Sequence, residues 1–203
     1  MQSAWMSDEH KMLADMTEKN ASYIPPADHW RSNVSSMLWD DVVLQLHGFA
    51  RIDRMIPFTD LQADKGEALA KEIGGAFCKV DVTKTEDIMN AIEMAKDMGP
   101  LRVLVNSAGI GWAQRTVGKD GSYDSAASLD AYKKVIAINL VGTFDCIRLA
   151  ATAMSTTEPL NDGERGAIVN IASVAAFDGQ IGQAAYSSSK GGVVGMTLPI
   201  ARD

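Results

Sequence analysis

The stretch Arg102-Val103-Leu104-Val105-Asn106-Ser107-Ala108-Gly109 decides the fold. Its apolar part is nearly continuous, as in a strand covered on both faces, which is the mark of a parallel sheet. It closes on an amide and then on small residues that let backbone approach a ligand closely. Upstream, Thr85 to Met98 reads as a helix with Thr85 as N-cap. Ile88, Ala91, Ile92 and Ala95 form its buried face, and Gly99-Pro100 ends it. Ala76 to Val80 reads as a strand followed by Asp81-Val82-Thr83. Lys65 to Ile73 reads as a helix with the stripe Ala68, Leu69 and Ile73, stopped by Gly74-Gly75. Met55 to Asp60 reads as the strand before it.

Downstream, Gly111 to Ser128 is a polar loop and Leu129 to Met154 one long helix. Tyr132, Val135, Ile136, Leu140, Phe144 and Ile147 lie on its related faces. After a second polar loop, Thr156 to Gly166, Ile168 to Ser173 reads as a buried strand ending in a polar residue. Strands alternating with helices predict an α/β fold, a doubly wound, Rossmann-like parallel sheet with right-handed crossovers. In such sheets chemistry gathers beyond the carboxyl ends of the strands. Asp60, Asp81, Asn106 and Ser173 all stand there.

The second pointer to chemistry is Ala184-Ala185-Tyr186-Ser187-Ser188-Ser189-Lys190-Gly191-Gly192. In a helix, Tyr186 and Lys190 share one face. An ammonium beside a phenol favours the phenolate, which suits the pair to general acid–base work near neutral pH. Asn139 is an amide on an apolar helix, so it is either a satisfied core group or a functional one. Asp60 and Asp81 have ordinary alternatives as turn-initiating or helix-entry residues.

Composition narrows the function classes. A chain of 203 residues is one domain by length, with a formal net charge of −7. That charge argues against nucleic-acid or anionic-membrane partners. No run approaches the roughly 18 apolar residues of a membrane span. Asp8, Glu9, Asp15 and Glu18 argue against a leader or transit peptide. Cys78 and Cys146 lack metal-ligand spacing and read as buried thiols of a reducing, cytoplasmic compartment.

Residues 1–57 differ from the rest. They hold all three histidines (His10, His29, His47), Trp5, Trp30 and Trp39, and only one of the 17 glycines, Gly48. Asp8 to Lys19 reads as a short helix broken by Tyr23-Ile24-Pro25-Pro26, and Val42 to Leu46 as a strand. The boundary is drawn at Pro57, with a partial Rossmann-type domain over 58–203.

Taken together, Asp81-Val82-Thr83, Asn106-Ser107-Ala108-Gly109, Asn139, Ser173 and Tyr186-xxx-Lys190 resemble the short-chain dehydrogenase/reductase family, from about Thr59 onward. Asn139 to Phe144, Ala172 to Gln180, Gly191 to Asp203 and the loop Glu158 to Gly166 resemble a subgroup that interconverts 3-hydroxyacyl-CoA and 3-ketoacyl-CoA. The resemblance implies NAD as cofactor, a small-molecule alcohol or ketone as substrate, no metal, and a homotetramer. It implies that Tyr186 exchanges the proton and that Lys190 supports the phenolate and binds the nicotinamide ribose. It further implies that Ser173 bonds the substrate oxygen, that Asn139 holds a water behind Lys190, and that Gln180 lines the substrate pocket. Asp60 would take the adenosine ribose and favour NAD over NADP, Asp81-Val82 would lie against adenine, and Asn106, Ala108 and Gly109 would border the cofactor.

Two departures qualify these expectations. The family's TGxxxGxG turn, which cradles the pyrophosphate, is not found. Val42 to Leu46 lies too close to Met55 for a parallel crossover of about ten to twelve residues. The chain also stops inside the helix begun near Tyr186. The expected sheet is therefore incomplete at both ends, and the expected protein weakly stable and nearly inactive, as a truncated or mistranslated product would be. The competing reading is a non-catalytic remnant that acts at most as a binding module. A serine hydrolase lacks a GxSxG turn and any histidine after His47, and a metalloenzyme lacks clustered ligands.

Overall fold

The computed structural model describes residues 57–161 and 163–203. The expected helix Asp8 to Lys19, the expected strand Val42 to Leu46 and the first two residues of the strand at Met55 lie outside the described residues. Strand β1 is Pro57–Asp60, and helix α1 is Ala63–Ile73. Gly74 ends α1 at φ 67°, a left-handed cap that costs glycine nothing, and its N–H bonds Ala70 O. The inner stripe of α1 runs through the buried Gly66 and Ala70 and the half-buried Leu69 and Ile73, while Ala68, expected inside, is exposed. Gly66 is required there because a Cβ would stand 2.1 Å from the Phe77 ring.

Strand β2 is Ala76–Lys79, and α2 is Thr85–Met98. Thr85 does not cap α2: Lys84 holds the N-cap position without a side-chain bond, and the Thr85 hydroxyl donates to Asp145 Oδ2 at 2.7 Å. Strand β3 is Val103–Asn106. A polar loop containing the 3-10 turn Tyr123–Ser125 leads to α3, Leu129–Ile136, which Ser128 does cap by accepting from Ala131 N. A π turn, Ala137–Gly142, joins α3 to α4, Thr143–Ser155. Strand β4 is Ala167–Asn170, followed by the 3-10 turn Val174–Ala176 and α5, Ala184–Arg202.

The strands form two parallel pairs, β1 with β2 and β3 with β4, and among the described residues no ladder joins the pairs. Asp60 pairs with Lys79 and Asn106 with Asn170, so each pair ends level at its carboxyl edge. The α/β, Rossmann-like architecture with an incomplete sheet matches expectation. The expected cover does not hold among the described residues: Val103 of β3 is 52% exposed, and Val169 of β4, expected as a buried strand, is 47% exposed. Strand β4 also stops at Asn170, three residues before Ser173.

Inside the long helical run the buried line is Val135, Asn139, Gly142, Thr143, Ile147, Ala150 and Met154. Ile147 and Val135, with Val193 of α5, are almost fully enclosed, each worth about 1.5–3 kcal/mol of apolar burial. Tyr132 and Phe144, expected on faces related to those of Val135 and Ile147, lie on the exposed side. The expectation that no run is apolar enough to cross a membrane is corrected here: Tyr123–Ser155 passes by length and composition. Its centre nevertheless carries Asn139 and Thr143, both buried and hydrogen-bonded inside the fold, as in a core helix.

Candidate active site

The carboxyl ends of β3 and β4 and the first turns of α5 converge. Asn106 Nδ2 donates to Asn170 Oδ1 at 2.9 Å, and Asn170 Nδ2 donates to Thr197 Oγ1 of α5 at 3.4 Å. Asn106 is buried, so its amide needs this partner. Ser107, Ala108 and Gly109 follow as exposed backbone, and Ile110 is gripped by Asn139. Asn139 Oδ1 accepts from Ile110 N at 2.8 Å, and Asn139 Nδ2 donates to Ile110 O at 2.9 Å. Gly109 lies so close that a Cβ would stand 3.3 Å from Asn139 Oδ1. Asn139 sits within the π turn, and its carbonyl accepts from Thr143 Oγ1 at 2.8 Å.

Beyond β4, Ser173 caps the turn Val174–Ala176, its Oγ accepting from Ala175 N at 3.2 Å. This turn packs against α5. Tyr186 and Lys190 share a face of α5, with the Lys190 Nζ 5.9 Å from the Tyr186 ring centroid. Lys190 is 6% exposed, and its Nζ donates to Ile171 O at 2.7 Å, two residues before Ser173. Burial pushes the Lys190 pKa down, because a low-dielectric surround disfavours the ammonium. Ser189, between them in sequence, is fully buried; it donates to Tyr186 O at 2.7 Å and receives Asn139 Nδ2 at 3.1 Å.

The structure thus brings Asn139, Tyr186 and Lys190 into one linked cluster, with Ser173 in the turn beyond β4 that packs against α5. Gln180 stands apart from this network: its N donates to Gln183 Oε1 and its carbonyl accepts from Gln183 N, closing the turn before α5. Asp60 and Asp81 sit at the ends of β1 and β2, each occupied locally. Asp60 Oδ1 accepts from Gln62 N at 2.8 Å. Asp81 Oδ1 accepts from the Thr83 side chain at 2.7 Å and its N–H at 3.0 Å, and these bonds hold the Asp81 pKa below the usual carboxylate value. Val82 leans on Gly142, where a Cβ would meet Val82 Cγ2 at 2.8 Å. Cys146 is a desolvated thiol, pushed up to about 11 chiefly by burial, and Cys78 is raised for the same reason.

Sequence reasoning missed Asn170 and Ser189. The repeated pair Val105-Asn106 and Val169-Asn170 was a legible signal for the first. Nothing local distinguishes Ser189 from Ser187 and Ser188 except helical phase.

Residues 48–203 match the family model described as short chain dehydrogenase. The chain is 54% identical over 147 residues to 3-hydroxyacyl-CoA dehydrogenase type-2 of Drosophila melanogaster, covering 71% of this chain and 57% of that protein. It is 50% identical over 148 residues to the Homo sapiens protein of the same description, covering 71% and 56%. Among solved structures it is similar to 3-hydroxyacyl-CoA dehydrogenase type-2 from Mycobacterium avium, with a TM-score of 0.74 and 41% identity over 81% of this chain and 63% of that one. The chain spans a little over half the length of the curated relatives it matches.

Proposed function

Since the chain belongs to the short-chain dehydrogenase/reductase family, we propose that it transfers a hydride between NAD and a secondary alcohol or ketone, the substrate pair being 3-hydroxyacyl-CoA and 3-ketoacyl-CoA. The observation that carries this reading is the buried ammonium of Lys190 beside the Tyr186 ring, one helical turn away and next to the Ser173 segment. The choice of acyl-CoA rests on the relatives' own description.

The described residues fit the nicotinamide half of the cofactor. Ala108 and Gly109 offer backbone without bulk, and Lys190 offers ammonium donors for a ribose. Asp60 would take the adenosine ribose, and its charge would repel a 2′-phosphate, which favours NAD. When bound, NAD supplies hydride transfer at its nicotinamide ring.

The chain's own residues handle the oxygen and its proton. In the reducing direction the Tyr186 phenol gives its proton to the substrate oxygen; in the oxidising direction the phenolate takes it. Lys190 favours the phenolate electrostatically. The Ser173 Oγ accepts from Ala175 N, which leaves its own O–H to donate to the substrate oxygen and steady developing charge. Asn139, bonded to Ile110 and Ser189, ties the nicotinamide-side loop to the helix bearing Tyr186.

Loss of NADH absorbance on adding acetoacetyl-CoA to the full chain tests the reading. Turnover measurable above background, against the near inactivity expected from the missing glycine turn, would carry the reading, and Tyr186→Phe should lower it by about 10²–10⁴-fold with the fold unchanged. A wild-type chain without turnover would sink it. One observation favours a second reading, a non-catalytic binding module: the two strand pairs share no ladder among the described residues. NAD binding by titration calorimetry without any turnover would support that alternative.

A further inference from the structure

We infer that Ser189 is a positioning residue that ties the buried Asn139 amide to the first turn of α5, and so holds the placing of Tyr186. The inference rests on the oxidoreductase reading above. Its basis is a chain of hydrogen bonds in which each direction is forced. A backbone carbonyl only accepts, so the single Ser189 hydroxyl proton goes to Tyr186 O at 2.7 Å. The Ser189 oxygen is then left as an acceptor and must face an N–H, which is Asn139 Nδ2 at 3.1 Å. Ile110 fixes the same orientation from the other side, its N–H donating to Oδ1 at 2.8 Å and its carbonyl accepting from Nδ2 at 2.9 Å, so one amide is held by the loop after β3 and by α5 at once.

Ser189 and Asn139 are both fully buried, so water cannot replace a lost partner. The path runs from the loop after β3, through α3–α4, to the carbonyl of Tyr186 itself. Ser188, one position earlier, is exposed, and Ser187 Oγ is buried without a partner. Of the three consecutive serines, only Ser189 links elements. Removing its hydroxyl frees one Nδ2 proton and one acceptor site on Tyr186 O, and α5 loses its tie to Asn139, while the two Asn139–Ile110 bonds remain.

The test is Ser189→Ala in the full chain, read in two ways. By amide hydrogen exchange, the Ser187 N–H in the first turn of α5 should lose protection while the Ile110 N–H and the amides of β3 and α4 keep theirs. By kinetics, kcat should fall on the order of tenfold to a hundredfold with KM for the 3-ketoacyl thioester unchanged, as for a misplaced reacting group. The double variant with Asn139→Ala should fall no further than Asn139→Ala alone. Should Ser189→Ala not fold, Ser189→Cys fills nearly the same space with a weaker donor and acceptor, and should give the same changes at smaller size. A Ser187 amide as protected as in the wild type, or losses that simply add in the double variant, would overturn the inference. Absence of turnover in the wild type sinks the oxidoreductase reading instead, and leaves the exchange experiment decisive for Ser189.

Discussion

The carboxyl ends of β1 and β2 carry Asp60 and Asp81; those of β3 and β4 carry Asn106 and Asn170. In the sequence these look alike, each a polar residue closing an apolar run. In the fold they are opposites. The two aspartates work within their own turns, near water, through bonds to Gln62 and Thr83. The two asparagines bond each other across the strand pair and reach α5 through Thr197. Local turn bonds near solvent are individually small and replaceable by water. A buried amide has no such substitute, and losing one partner strands the other. A strand-end polar residue therefore marks where a ligand can bind, but burial decides whether it also holds the site together.

The largest expected effect lies at the buried end. Lys190→Met should remove turnover by at least about 10²–10⁴-fold, because the tyrosine loses its cationic neighbour. The pH dependence of its stability has a definite sign. The folded pKa of Lys190 is lowered, so the folded state binds fewer protons than the unfolded chain between the two pKa values. Wild-type stability measured against Lys190→Met by urea unfolding should therefore rise as pH increases through the folded pKa towards the ordinary lysine value. A difference that falls over that window would break the contrast between the two strand pairs.

Next in size come two stability changes of similar magnitude and different origin. Asn106→Ala leaves Asn170 Oδ1 without its donor, and should cost about 1–3 kcal/mol in chemical denaturation. Gly66→Ala pushes a methyl into the Phe77 ring and should cost about 1–3 kcal/mol by overpacking. The β1–β2 pair then rests on apolar packing, including the Phe58–Phe77 ring contact at 5.5 Å, rather than on its aspartates.

The smallest effect should be at Asp81. Its folded pKa is lowered by Thr83, so its contribution is complete above the unfolded carboxylate pKa and lost as pH falls through the folded value. Asp81→Asn should remove that acid-limb term, less than about 1 kcal/mol after solvent screening. A larger loss would show that this aspartate is tied into the fold as firmly as Asn106.

Much of this was readable from residues alone. Helix α2 was expected from Thr85 to Met98 and runs there, because its apolar spacing and the Gly99-Pro100 stop are local signals. Its cap was misread: Thr85 spends its hydroxyl on Asp145, sixty positions away in the chain, and no local pattern reports that. The same holds for the π turn at Asn139, which interrupts a helix whose periodicity looks continuous. The half-exposed Val103 and Val169 show the converse, since an apolar run reports what a strand can bury and not what covers it.

The spacing of Tyr186 and Lys190, the alternation of strands and helices, and the small residues after Asn106 were settled by the order of amino acids, because backbone geometry turns short spacings into shared faces. Which of three serines reaches Asn139, which asparagine finds a second asparagine, and how deeply Lys190 is buried depended on elements distant in the chain meeting in space. Hydrogen-bond direction and desolvation exist only once those partners are in contact.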